Sequence, residues 1–165
     1  MRILGVDPGT VFLGYGAIEF RTGTCSPITH GRIHIKSKCA FSDKLKQIYE
    51  STRVLIRDTN AEVMAVEDVF VSCNARTSLK LGHARGVILL AAAQSDIPIS
   101  EYAPREIKQA ILGRGSATKD QVQWMIRQLL KLDNAELKED AADGLAVALC
   151  HGFRSQTSAI VGSAS

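Results

Sequence analysis

No stretch of this 165-residue chain is apolar for long enough to cross a bilayer; the longest nearly apolar run is residues 86–93. Met1 leads straight into a strand-like run, so no signal peptide and no membrane association are expected. Paired cysteines are also missing. Cys25, Cys39, Cys73 and Cys150 are scattered, with no C-x-x-C, and the four histidines do not cluster with them at ligand spacing. That pattern excludes a disulfide framework and argues against zinc. It leaves four free thiols in a reducing compartment, and a cytoplasmic location is expected. There is no internal repeat and no linker-like stretch, so one domain over residues 1–154 is expected. The small, polar residues 155–165 are expected to form a disordered tail.

Asp and Glu are absent between Phe70 and Gly86, where Arg76, Lys80 and Arg85 lie. A second basic group follows: Arg105, Lys108, Arg114 and Lys119. The net charge of +3 says little by itself. Its distribution says more, because cations that grip a phosphate backbone alternate here with isolated acids.

Hydrophobic runs and turn signals predict an ordered set of elements. Ile3–Val6, Leu13–Phe20 and Ser26–Ile35 read as sequential strands separated by Asp7-Pro-Gly-Thr10 and Thr22-Gly23 turns, which favours an antiparallel meander. Ser42 is expected to cap a helix to about Asp58, with Leu45, Ile48 and Val54 on its apolar stripe. Val63–Val66 follows a helical crossover and is expected to lie parallel to the first strand. A helix over Ala75–Ser95, a strand over Ile97–Tyr102 and a short helix from Pro104 come next. Thr118 is expected to cap a helix through Leu132, with a break at Asp133-Asn134 and a last helix over Glu139–Phe153. The sum is a mixed α/β sheet flanked by helices.

Four acids stand out within that framework. Asp7 and Glu67 each end an apolar, strand-like run, while Asp140 and Asp143 sit three apart on a helix and share a face that continues to Val147. Singly, each has an ordinary explanation: a turn aspartate, an exposed strand end, acids favouring a helix N-terminus. Together they form an all-carboxylate set that suits hard divalent cations such as Mg²⁺ rather than zinc. Two cations about 4 Å apart can clamp an in-line displacement at phosphorus, which points to a metal-dependent nuclease. In that scheme Asp7 bridges the metals and the other three acids each hold one side. His151 is either a helper base or a satisfied helix-end histidine.

The motifs Gly5-Val-Asp-Pro-Gly9, Glu67-Asp-Val-Phe70, Leu79-Lys-Leu-Gly-His-Ala-Arg-Gly86 and Asp140-Ala-Ala-Asp143 closely resemble, in order, those of the RuvC family of bacterial Holliday-junction resolvases. The resemblance runs from Met1 to about Arg154. It implies a ribonuclease-H-like fold with a mixed five-stranded sheet, and nicking of two opposed strands of a four-way junction in recombination and repair. The ends left are 5′-phosphate and 3′-hydroxyl. It also implies two Mg²⁺ ions per site, with Mn²⁺ able to substitute, a homodimer, cooperation with the RuvA–RuvB branch-migration complex, and preference for a short T-rich target. The family's catalytic, metal-binding acids fall on Asp7, Glu67, Asp140 and Asp143. Its junction-facing aromatic falls on Phe70 and its functional lysines on Lys108 and Lys119. Phe70 could stack on an unpaired base, worth ~1–3 kcal/mol, or be an ordinary core residue. Arg76 and Lys80 could track a DNA backbone or be an exposed helix face. The apolar segment 87–93 could be core or part of a two-fold interface.

Three competitors remain open at this point. An actin-like ATPase or sugar kinase also carries an acid and glycines on its first hairpin, but needs a second similar domain that this chain lacks. A DNA-binding module without chemistry would use the basic stretches alone. A ribonuclease-H-like RNA nuclease would share the acids and differ in substrate.

Overall fold

A computed structural model describes residues 1–68, 74–132 and 137–162, with side chains to residue 157. Five strands and five helices follow one another as β1 (Arg2–Asp7), β2 (Phe12–Arg21), β3 (Thr24–His34), α1 (Phe41–Thr59), β4 (Val63–Glu67), α2 (Ala75–Ala93), β5 (Ile99–Tyr102), α3 (Pro104–Leu112), α4 (Lys119–Leu130) and α5 (Glu139–Gly162). The strands form one mixed sheet in the order β3-β2-β1-β4-β5. β1, β2 and β3 make the expected antiparallel meander, and β4 joins β1 in parallel. Both connections into the parallel half, α1 and α2, are helical crossovers, which such pairing requires.

The sheet separates two cores. Ile3, Ile18, Val63 and Ala65 pack with α3, α4 and α5 on one face. Leu4, Val6, Leu13, Met64 and Val66 pack with α1 and α2 on the other. β1 and β4 are therefore apolar on both sides, as strands covered by helices on both faces must be.

The local signals mostly act as their chemistry suggests. Pro104 occupies the first turn of α3, and the Thr118 hydroxyl accepts from the Gln121 amide in a capping box at α4. Asn74 caps α2 by accepting from the amides of Arg76 and Thr77. Ser42 does not cap α1: the helix opens one residue earlier, at Phe41, behind an Ala40 that makes no side-chain cap. Val54 is exposed, and Thr52 and Thr59 fill the buried stripe instead, each hydroxyl bonded to the carbonyl one turn back. The end of α5 also differs from expectation. The helix runs past Phe153 to Gly162, taking in residues 155–162, and Phe153 packs edge-on against Phe20. Cys25, Cys39 and Cys150 are free thiols, while Cys73 lies outside the described residues, as do the Asp133-Asn134 break and Phe70.

Direct backbone contact sets α5 on the sheet. A Cβ on Gly5 would strike the Gly144 carbonyl, and one on Gly14 would strike the backbone of Asp140. A Cβ on Gly144 would lie 2.5 Å from the Tyr15 carbonyl carbon. Glycine on both surfaces brings the two backbones into direct contact. Gly144→Ala puts two effects in opposition. Alanine favours a helix by about 0.8–1 kcal/mol over glycine, whereas overpacking against rigid backbone costs about 1–3 kcal/mol. The expected outcome is net destabilisation in urea titration; an unchanged or raised midpoint would show that α5 is not seated as tightly as described.

Candidate active site

Strand alternation decides where the first two acids point. Ile3 enters the core under α5, Leu4 the opposite core, Gly5 meets Gly144, and Val6 returns to the opposite core. Asp7 therefore projects on the α5 face. On β4, Val63 and Ala65 face α5 and Met64 and Val66 face away, so Glu67 projects as Asp7 does. Val6 pairs with Val66 in the parallel ladder, which sets Asp7 and Glu67 side by side where these strands end.

Helix α5 supplies the opposing wall. Asp143 sits one turn before the fully buried Val147. Asp7, Glu67 and Asp143 line one cavity of ≈ 410 Å³. Lys108 from α3 and Lys119 from the first position of α4 line it too, and Leu81, Ile107 and Val122 contribute apolar wall. Lys119 Nζ stands 2.5 Å from Glu139 Oε1 and 3.6 Å from Asp143 Oδ2.

Burial makes this negative charge costly. Asp7 has its pKa raised to about 8, first by desolvation and then by the neighbouring charges of Glu67, Asp143 and Asp140. Glu67 is raised to about 7, by burial and then by Asp143, with Lys119 and Lys108 opposing. Asp143 is raised by burial, and Lys119 holds it back. The two lysines thus only partly offset three half-buried carboxylates.

Asp140 takes a different partner. Its Oδ2 is 3.2 Å from Arg32 Nη1, on β3, and among the described residues it does not line the cavity. It is still near enough to raise Asp7. The side chains share a helix face as expected, but they turn to opposite cations. Arg76 and Lys80 are exposed on the first half of α2 and do not line the cavity. His151 is satisfied: its Nδ1 is 2.8 Å from the Tyr102 hydroxyl, and burial lowers its pKa.

A family model described as crossover junction endodeoxyribonuclease RuvC matches residues 3–151. The chain belongs to the RuvC family. A relative named crossover junction endodeoxyribonuclease RuvC, from Desulforamulus reducens, is 45% identical over 157 residues, covering 95% of this chain and 96% of the relative. The RuvC structure from Thermus thermophilus superposes with a TM-score of 0.88 at 28% identity, over 96% of this chain and 97% of that one. The T. thermophilus RuvC solved with a Holliday junction substrate superposes at 0.86 and 26% identity, over 95% and 96%. The ribonuclease-H-like fold, with its mixed five-stranded sheet, follows from these matches.

RuvC-family membership implies a divalent metal, and the donor chemistry here fits one. Asp7, Glu67 and Asp143 offer hard oxygen ligands whose mutual repulsion and burial a cation would relieve. Among the described residues, no three acid, His or Cys side chains are already gathered at ligand distance. Lys119 and Arg32 hold two of the carboxylates instead. Sequence reasoning missed Arg32 and Glu139. Arg32 has no signal until the hairpin register sets it opposite Gly14, and Glu139 could have been suspected only from its place beside Asp140.

Raised carboxylate pKa values give a defined pH dependence. The folded chain holds these protons more tightly than the unfolded chain, so the contribution of these three groups to metal-free stability is greatest at low pH. For Asp7 it declines as pH rises from 3.8 to about 8. Asp7→Asn removes this term. Urea titration without metal is expected to show the variant more stable at pH 8, by on the order of 2 kcal/mol, and little changed at pH 4. Equal destabilisation at both pH values would contradict the burial of an uncompensated acid.

Proposed function

We propose that this protein is a metal-dependent endonuclease that resolves four-way DNA junctions in recombination and repair. The observation that carries the reading is the convergence of Asp7, Glu67 and Asp143 with Lys108 and Lys119 on one cavity. Relatives named crossover junction endodeoxyribonuclease, and a fold match solved with a Holliday junction, supply the substrate class. The nuclease domain is taken as residues 1–154, acting in the cytoplasm. No helix among the described residues is long and apolar enough to cross a membrane.

Asp7, Glu67, Asp143 and Asp140 would hold two Mg²⁺ ions, with Mn²⁺ as an alternative. Bound there, the ions neutralise charge at the scissile phosphate and favour ionisation of the attacking water. The chain's own side chains do the rest. The carboxylates must be ionised, so the site works better as pH rises through the range where Asp7 and Glu67 lose their protons. Lys119 starts α4 at the cavity rim and offers a cation to the charge developing in the transition state. Lys108 does the same from α3. Apolar Ile107 and Val122 exclude water and strengthen each of these interactions. The products carry 5′-phosphate and 3′-hydroxyl ends. Phe70, three residues after Glu67, is assigned to stacking on an unpaired base, and Arg76 and Lys80 to the DNA backbone.

Two opposed cuts call for two sites, which a homodimer provides. The surface that favours pairing lies on α2. Leu79, Gly82, His83 and Gly86 line one apolar groove, and Leu79 and Leu90 are 64% and 50% exposed. The strip begins before the 87–93 segment that composition suggests, because Ile88, Ala91 and Ala92 of that segment are buried in the core. RuvA–RuvB is taken as the partner that delivers the junction.

A synthetic four-way junction and a matched duplex, each tested with Mg²⁺ and with EDTA, decide the reading. Paired nicks in the junction that need the metal are expected, with the duplex spared. Asp7→Asn should bind the junction and fail to cut it; cutting at the normal rate would show that the metal site lies elsewhere. Lys119→Ala should slow cutting at least tenfold with little loss of binding, and unchanged turnover would remove Lys119 from the site.

A further inference from the structure

Arg32 holds a position that neither the acid pattern nor the basic stretches account for. It lies on β3 directly opposite Gly14 in the antiparallel ladder. Gly14 is where the backbone of Asp140 presses on the sheet, so the next side chain across meets the Asp140 carboxylate. The guanidinium makes a 3.2 Å ion pair with Asp140 Oδ2 and stacks 4.0 Å from the centre of the Phe12 ring. Phe12 in turn packs against His34, at a centroid distance of 5.2 Å. A planar cation seated on an aromatic face loses less freedom in making its ion pair than a loose lysine would. Of the four acids that the sequence singles out, Asp7, Glu67 and Asp143 line the cavity, and Asp140 is the one that Arg32 holds.

Resting on the metal reading above, we propose that Arg32 is a positioning residue that keeps Asp140 turned away from the cavity, so that divalent-ion binding at the fourth carboxylate competes with the Arg32–Asp140 pair. The same guanidinium, 36% exposed, can turn to a DNA phosphate. Junction binding then frees Asp140, and the metal site is completed only with substrate in place. Metal uptake and DNA binding are thereby coupled, each strengthening the other by the same factor.

Magnitude follows from exposure. The pair is 36% and 29% exposed on its two sides, the regime in which ion pairs contribute modestly. Replacing Arg32 is therefore expected to tighten Mn²⁺ binding to the DNA-free protein about two- to fivefold. Calorimetric titration of Mn²⁺ into the full chain at constant pH reads this without any cleavage step. Arg32→Gln should bind Mn²⁺ more tightly than wild type, and Arg32→Lys should lie between. In the Asp140→Asn background, Arg32→Gln should change nothing further, since its partner is gone. A non-cleavable junction should strengthen Mn²⁺ binding by the wild type and do so less for Arg32→Gln. Unchanged or weaker affinity in Arg32→Gln, or the same tightening with Asp140→Asn present, would overturn the proposal. If Mn²⁺ binds the wild type and only the variants fail the pattern, the metal reading stands and the role of Arg32 falls. If the wild type takes up no Mn²⁺, both fall.

Discussion

Backbone contact between α5 and the β1–β2 hairpin is the constraint on which the site depends. Gly5 and Gly14 on the strands, with Gly144 on the helix, let the two backbones touch directly, and Gly16 makes room for the Leu145 side chain. Such an approach fixes the helix more rigidly than interdigitated side chains can, because peptide groups have no rotamers to adjust. It places Asp143 across from Asp7 and Glu67, which come from strands that are neighbours in the sheet but about 60 residues apart in the chain. Three carboxylates are thus held together by elements whose own stability comes from two separate cores.

Electrostatics turns that geometry into a site. Folding buries charge that the unfolded chain would leave in water, and Asp7 and Glu67 both resist ionisation as a result. A purely structural region would mate each acid with a cation. Here Lys119 is shared between Glu139 and Asp143, and Lys108 acts on Glu67 only from a distance. A cluster so arranged destabilises the protein unless a cation of higher charge enters. The fold spends stability to keep a binding site ready, as pKa shifts gathered in a cleft commonly indicate.

Much of this was legible in the chain. The two acids ending apolar runs were assigned by position, and strand alternation alone would set them on one face once β1 and β4 were taken as parallel neighbours. Thr118 and Pro104 act through their own local chemistry. What could not be read was tertiary. Asp140 and Asp143 share a helix face, yet a contact with β3 turns the first toward Arg32, and no spacing rule foresees that. Helix α5 runs on to Gly162, and Phe153 meets Phe20 from more than 130 residues away in the chain. Ser42 is a good capping residue in isolation, but α1 begins one residue before it, at Phe41, whose ring meets His83 of α2.

The central claim is that Asp7, Glu67 and Asp143 hold divalent cations between the sheet and α5. The most direct measurement is anomalous diffraction from crystals of the protein soaked in Mn²⁺. The account expects a strong peak inside the cavity, within about 2–2.5 Å of carboxylate oxygens from at least two of these residues. A well-ordered cavity with no peak, or Mn²⁺ bound only elsewhere on the surface, would contradict it.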